Sequence, residues 1–372
     1  MTVADLPCAF LRALRLRAQR LYPAAAVPDV ASLAAHLCGI QAQDPAAAAL
    51  AIRARTTGLT AADVDRARVE TRAVVRTWAM RYTLHLLDAR DVRGFTALLG
   101  PTLIRRQRAR HAQLGLNDVT AARALAAIRT ILGDAGPLTR AELMERLRPH
   151  DVPTAGQAAA HLVSRAAMEG LICLGPDRGP EPTYVLLDDW LPSPGGETSV
   201  AGATVGDLVL RYLTAFGPAQ PEDFVSWSGL GLRDTRAAFA ALGPSLVELT
   251  CGGVTYWLPA SRAPWLDAPE PEGALVRLLP AFDLTMLGYA SRAWIVPEAF
   301  DREVNRGGGM VRPVLLIDGV AAGTWRLRRA ARSAVAEVTP FAPLAPEVLA
   351  ALEAEARDVG RFVGLETRLD LF

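Results

Sequence analysis

The chain has no lysine; all 40 of its basic residues are arginine. That absence excludes a side-chain Schiff base, a lysine-held pyridoxal phosphate and a phosphate loop built on lysine. Cysteine is scarce, and Cys8, Cys38, Cys173 and Cys251 form no CxxC pair. This spacing fits neither a metal knuckle, a redox pair nor an iron–sulfur cluster. It reads as buried free thiols in a reducing compartment. His36, His85, His111, His150 and His161 show no HxxxH or HxH spacing, so neither a metal site nor a cofactor is expected. The start, MTVADLP, lacks a basic segment followed by an apolar one, and no run is apolar enough to span a bilayer. The expected location is the cytoplasm, with no membrane partner. A net charge of +1 excludes a polybasic or strongly acidic molecule.

What is present is an ordinary globular composition, 51% hydrophobic and 21% charged over 372 residues, enough chain for two or three domains. Helical periodicity covers residues 8–19, 30–39 with Asp29 as N-cap, the stretch after Asp44–Pro45, and 60–67 opened by Thr60 and Asp63. Residues 76–87 alternate as a strand around Trp78, Met80, Tyr82 and Leu84, and 91–109 return to helix.

An order then repeats. Helix 120–132, a short helix 138–147, a longer helix 154–170 and two short strands (171–174 and 183–187) precede helix 205–216. After that come a turn with a short helix, a longer helix 233–242, and a hairpin of 246–251 and 254–258 around Gly252–Gly253. Three helices followed by a hairpin is the order of a winged helix-turn-helix, and its recurrence strengthens the reading. The segment LPSPGGETS (191–199) reads as the linker. The last hundred residues are mixed: strands at 275–279, 314–317, 323–327 and 335–339, a turn at Asp318–Gly319, and a closing helix over 346–358.

Charge is uneven. Between Arg53 and Arg110 stand thirteen arginines against five acids. Arg105, Arg106, Arg108 and Arg110 would line one helical surface, and Arg326, Arg328, Arg329 and Arg332 form a second run. On a winged-helix framework such runs suggest phosphate contacts. In GIQAQDP, Gln41 and Gln43 would face one side of an extended segment. A carboxamide does not titrate, so the pair cannot be a strong base. It can orient a water and place dipoles near a developing cation.

Gln41–Ala42–Gln43, RTWAMRYTLHLL (76–87), RYLTAFGPAQPEDFVSWSGL (211–230) and LLPAFDLTMLGYASR (278–292) together resemble the winged-helix family of AlkZ-like bacterial DNA glycosylases, the YcaQ-like group. The resemblance runs from about residue 8 to the end. It implies an α+β, helix-rich fold with tandem winged helix-turn-helix motifs in a C-shaped arrangement and a C-terminal β-rich part. The regions expected are 1–115, a winged-helix-like region carrying the glutamines; 116–195 and 196–265, two winged helices; and 266–372, β-rich with a closing helix.

The resemblance also implies monofunctional release of N7-alkylated purines, bulky genotoxin–guanine adducts and interstrand crosslinks included, from double-stranded DNA. Gln41 and Gln43 match the Gln–hydrophobic–Gln motif of the branch that confers self-resistance on producers of alkylating natural products; the housekeeping branch carries Asp at the third position. Tyr82 departs from the smaller residue relatives often carry there. Expected DNA contacts are Arg76, Arg81, His85, Arg105, Arg106, Arg108, Arg110, Arg326, Arg328 and Arg329, in a protein acting as a monomer. An N7-alkylguanine is already cationic, so its departure needs no general acid, and a chain without lysine suits an enzyme that leaves an abasic site. The alternatives are a non-enzymatic winged-helix regulator, or a protein that shields adducts without releasing them. Asp44 reads as a helix cap; Asp283 fits a family position and a structural hydrogen bond equally.

Overall fold

The computed structural model describes residues 5–22, 25–191, 204–267 and 274–372. The segment read as a linker falls, apart from Leu191, outside them. The chain divides into two compact units: residues 66–205 with 228–230, and residues 1–65, 206–227 and 231–372.

In the first of these units, residues 76–87 are not one strand. Val74–Trp78 and Leu84–Asp88 pair antiparallel, with Thr77 opposite His85. They are joined by a tight turn at Met80–Tyr82, where Arg81 and Tyr82 both take positive φ, 55° and 63°. The alternation is genuine, but a turn built from non-glycine residues leaves no glycine or proline to announce it. The helix expected over 91–109 is two, Val92–Arg106 and Arg108–Gln113.

Helix Asp118–Ala135 is capped by Asn117, whose side chain accepts from the Thr120 amide. Helix Arg140–Leu147 opens on a reciprocal capping box between Thr139 and Glu142. Helix Gly156–Met168 follows, then the hairpin of Ile172–Arg178 and Glu181–Leu186. The strands reach further into GPDRGPEP than expected, because a bulge between Leu174 and Asp177 accommodates Gly175 and Pro176. The short strand Leu138–Thr139 pairs with the second hairpin strand, Leu138 opposite Tyr184. Ile128, Leu143, Leu147, Leu162, Val163 and Ile172 pack together as the core of this repeat, all but dry.

Helix Gly156–Met168 occupies the third-helix place of this repeat, and from Leu162 to Met168 every side chain is buried. Its end lies so close against helix Val92–Arg106 that a Cβ on Gly100 would collide with the Met168 carbonyl oxygen.

The other unit begins with helix Cys8–Ala18. It contains the second repeat: helices Val205–Phe216, Pro221–Ser228 and Leu232–Leu242, then the hairpin Leu246–Cys251 with Val254–Pro259. Tyr212, Phe216, Phe224 and Trp227 interlock beneath it with ring centroids 5.1–5.9 Å apart. Here the third helix keeps one face outside: Arg233, Asp234, Arg236, Ala237 and Ala240 are exposed.

A five-stranded sheet completes this unit, in the order Val276–Leu279, Val314–Ile317, Val320–Arg329, Ser333–Pro340, Glu366–Leu371. The two-residue turn Asp318–Gly319, both at positive φ, joins the second and third strands as expected. Pro346–Val363 continues past the expected end at 358 to Gly364, which closes it in the left-handed conformation. That helix buries Leu352, Ala356, Val359 and Phe362 and lets the last strand return parallel to Ser333–Pro340. Sequence pattern does not announce this final strand, because ETRLDL is mostly polar.

Cys38 and Cys173 are buried free thiols. Cys8 and Cys251 are not: they are disulfide-bonded, Cα atoms 5.9 Å apart, and tie the first helix to the hairpin. A separation of 243 residues hides such a partner from any reading of spacing. Among the described residues no helix is long and apolar enough to cross a membrane, and no three His, Cys, Asp or Glu side chains are placed to hold a metal.

Candidate active site

The two glutamines stand between two closed helix ends. Helix Val30–His36 is capped by Asp29, and it stops where Cys38 and Gly39 take positive φ, 55° and 99°. Their amides donate back to the carbonyls of Ala35 and Ala34, so the chain leaves the helix in a fixed direction. Ile40–Gln41 is then extended. Two residues on, Asp44 caps helix Pro45–Arg53, its carboxylate accepting from the amides of Ala46 at 2.9 Å and Ala47 at 3.2 Å. Capping, the role read for Asp44 from the sequence, is the one its hydrogen bonds serve. Gln41 is 8% exposed, while Gln43 lies on the surface. One amide is held inside, and its neighbour on the segment is accessible.

The far end of helix Pro45–Arg53 is locked more firmly. Arg53 and Arg55 are both without exposed side-chain surface. Arg53 donates to Glu355 at 2.7 Å, to Asp358 at 3.3 Å and to the Leu278 carbonyl at 2.6 Å. Arg55 grips Asp283 with both terminal nitrogens, at 2.8 and 2.7 Å, and donates also to the Ala51 carbonyl and Thr285. Asp283 is deeply buried; desolvation would raise its pKa, but the charge and hydrogen bonds of Arg55 win and hold it low. Asp283 therefore acts in the fold, capping Leu284–Leu287 through the Thr285 amide and neutralising Arg55. These partners lie 228 and 302 residues away in the chain, and a single sequence carries no signal of such pairing.

The residues nominated for DNA differ in access. Arg76 is 7% exposed and His85 only 1%. Both belong to the paired strands, Arg76 opposite Leu174; in this conformation neither offers its charge or ring to a phosphate. The His85 Nδ1–H donates to the Thr83 carbonyl at 3.0 Å. Burial, reinforced by the charge of Arg81, pushes its pKa down to about 3. His85 is thus neutral and unavailable as a general acid near pH 7. Arg81, half-buried on the strained turn, sits beside Tyr82, whose phenol burial pushes up to about 12.

Arg105, Arg106, Arg108 and Arg110 are exposed. Arg106 donates to the Leu230 carbonyl, Arg108 pairs with Asp118 at 2.9 Å, and Arg110 bonds Gln113 and Gln157. In the other unit Arg326, Arg328 and Arg329 are exposed along one strand end. The first two share Glu337: burial would raise that carboxylate, but hydrogen bonds from Arg326 and Arg328 hold it low. Trp227 and Trp325 are core residues, and the Trp325 indole donates to Leu279.

Two carboxamides on one segment can orient water and stabilise positive charge, and they transfer no proton themselves. Comparison with known proteins identifies the family. The family description "DNA glycosylase AlkZ-like" matches residues 34–362. The chain is 28% identical over 362 residues to an interstrand DNA cross-link repair glycosylase of Streptomyces sahachiroi, covering 95% of each. Its fold superposes on the S. sahachiroi DNA glycosylase AlkZ with a TM-score of 0.83 at 26% identity, covering 99% of this chain and all of that one. With a capped glutamine segment, a matching fold and a family match over most of its length, the chain belongs to the AlkZ-like DNA glycosylase family.

Proposed function

We propose that this protein is a monofunctional DNA glycosylase that hydrolyses the N-glycosidic bond of N7-alkylated purines in duplex DNA. Its substrates on this reading are bulky genotoxin–guanine adducts or interstrand crosslinks, and its role is self-resistance to a DNA-alkylating natural product. It acts as a monomer in the cytoplasm. The observation that carries the reading is the Gln41–Gln43 segment, held rigid between two capped helices in a chain of this family.

In the reaction, water adds to the sugar C1′ as the bond to the base nitrogen breaks. The bonding pair neutralises the cationic base, so no acid is required. The water gives its proton to solvent. Gln41 and Gln43 hold the water through their carbonyl oxygens and direct their dipoles toward the oxocarbenium-like sugar. Phosphates are met by the exposed arginines Arg105, Arg106, Arg108, Arg110, Arg326, Arg328 and Arg329, and by Arg81; Arg76 and His85, both buried, take no direct part.

The two repeats are read as winged helices, so that 116–195 and 196–265 carry one each, between the glutamine region 1–115 and the β-rich region 266–372. A sequence-reading regulator is the alternative, and it predicts binding to an operator with no base released. The test is base release from duplexes carrying N7-methylguanine or a bulky N7-guanine adduct, with abasic sites converted to breaks by alkali. Release that vanishes in Gln41→Ala/Gln43→Ala supports the reading. DNA bound with no base released from either substrate overturns it in favour of a shielding protein.

A further inference from the structure

Many exposed arginines here already have an anion. Arg108 pairs with Asp118, Arg123 with Asp151, Arg178 with Glu142, Arg236 with Glu222, and Arg326 with Glu337. Arg17, Arg20 and Arg262 are arranged differently. All three belong to the unit that carries the glutamines, and none forms an ion pair among the described residues. The guanidinium carbons of Arg17 and Arg262 each lie 4.4 Å from the centre of the Trp265 ring, so one indole gathers two cations.

Arg20 is close enough to oppose Arg262, as Arg17 does: burial and then these two neighbours depress the Arg262 pKa. His36 faces the same group. Its Nε2–H donates to the Ala18 carbonyl at 2.8 Å, and burial, with Arg20 and Arg262 opposing its charge, holds it neutral at pH 7. The carbonyls ending helix Cys8–Ala18 ease Arg17 and Arg20, and among the described residues no carboxylate pairs with Arg262.

Arg20 adds an independent observation. It follows the helix at φ 60°, where its amide donates to Arg17 and the Leu21 amide to Leu16. That left-handed closing position suits glycine, which has no Cβ to strain it. An arginine there costs stability, and it adds a third cation to a group already repelling itself. Fold economy accounts for neither choice. An anion bound among the three accounts for both.

We propose that Arg17 and Arg262, stacked on Trp265, form with the neighbouring Arg20 a phosphate-binding site that grips the DNA backbone. This extends the proposed function to residues outside both basic runs. The planar guanidiniums suit phosphate oxygens, and each can offer paired N–H groups. A free phosphate or pyrophosphate has the same chemistry, and the experiment separates the sources.

The full-length protein and its variants Arg17→Ala/Arg262→Ala and Arg20→Gly are titrated with undamaged duplex from about 50 to about 200 mM salt. Arg123→Ala serves as control. The expected result is weaker binding in both variants and a shallower salt dependence, by about 0.9 in log–log slope for each phosphate no longer neutralised. Arg20→Gly is the decisive variant, because it relieves strain: its melting temperature holds or rises while its DNA affinity falls. A merely structural Arg20 would leave affinity unchanged.

Unaltered slopes in both variants overturn the proposal. So does pyrophosphate that binds the wild type through these arginines without competing with duplex. Base release, measured on saturating substrate, is scored separately. Slopes that fall in a protein releasing no base leave this site standing and sink the catalytic reading; unchanged slopes in an active enzyme do the reverse.

Discussion

Arg55 and Asp283 form a two-toothed ion pair with no exposed side-chain surface on either partner, and it fixes the helix that begins at the glutamine segment. Removing one partner strands the other as a buried charge. Asp283→Ala and Arg55→Met are each expected to cost about 3–5 kcal/mol of stability, read as a lower urea midpoint. The double replacement Arg55→Met/Asp283→Leu should recover much of that loss, because the desolvation cost disappears with both charges. A double variant as unstable as the sum of the singles would refute this account.

Gln41→Ala and Gln43→Ala separately should each slow base release by about 10²–10³-fold, the usual range for one aligned dipole. Gln43 is exposed, so its truncation should leave the melting temperature nearly unchanged. Duplex affinity should persist in both. Single-turnover rates on an N7-methylguanine duplex check this directly.

Because carboxamides do not titrate, single-turnover base release should be nearly flat from about pH 6 to about pH 8. His85, near 3, and His111, near 4, stay neutral there, and Tyr82, near 12, stays protonated. A bell-shaped profile in this window would reveal a general acid or base that the two glutamines do not provide.

Stability behaves differently from rate. The folded His85 has a pKa below its unfolded value of about 6.5, so the unfolded chain takes up the proton first on acidification. Its contribution is complete above pH 6.5 and is lost as pH falls from there toward 3, at up to about 1.4 kcal/mol per pH unit. Melting temperature should therefore fall between pH 7 and 5, and less steeply in His85→Gln.

Glu337 holds Arg326 and Arg328 on the sheet. Glu337→Gln releases both, so duplex affinity should rise by several-fold at low salt and its salt dependence should steepen. Unchanged binding would remove these two arginines from the DNA surface.

Local features of this fold are legible in the chain because their causes are local. Asp29, Asp44 and the Thr139–Glu142 box announce helix starts, and Asp318–Gly319 announces its hairpin. The turn at Arg81–Tyr82 uses residues that favour no turn, and it is invisible for that reason. The glutamines stand out only through a resemblance, since two amides alone specify little. What holds them is not legible: Arg53 looks like one more surface arginine until Glu355 is folded against it. Of the arginines clustered in sequence, Arg108, Arg326 and Arg328 are countered in the fold, by Asp118 and Glu337. Arg17, Arg20 and Arg262, without an ion pair among the described residues, come from two places at least 242 residues apart, and only folding brings them together.

The lock on helix Pro45–Arg53 also sets a timetable. Its glutamines leave the ribosome at least 240 residues before Asp283, and further still before Glu355 and Asp358. At about 5–20 residues per second, the interval is on the order of 15–60 seconds. Throughout it the nascent chain carries its glutamine segment without the anchors that fix the helix after it. On the proposed reading, a chain interrupted before Asp283 is expected to release no base.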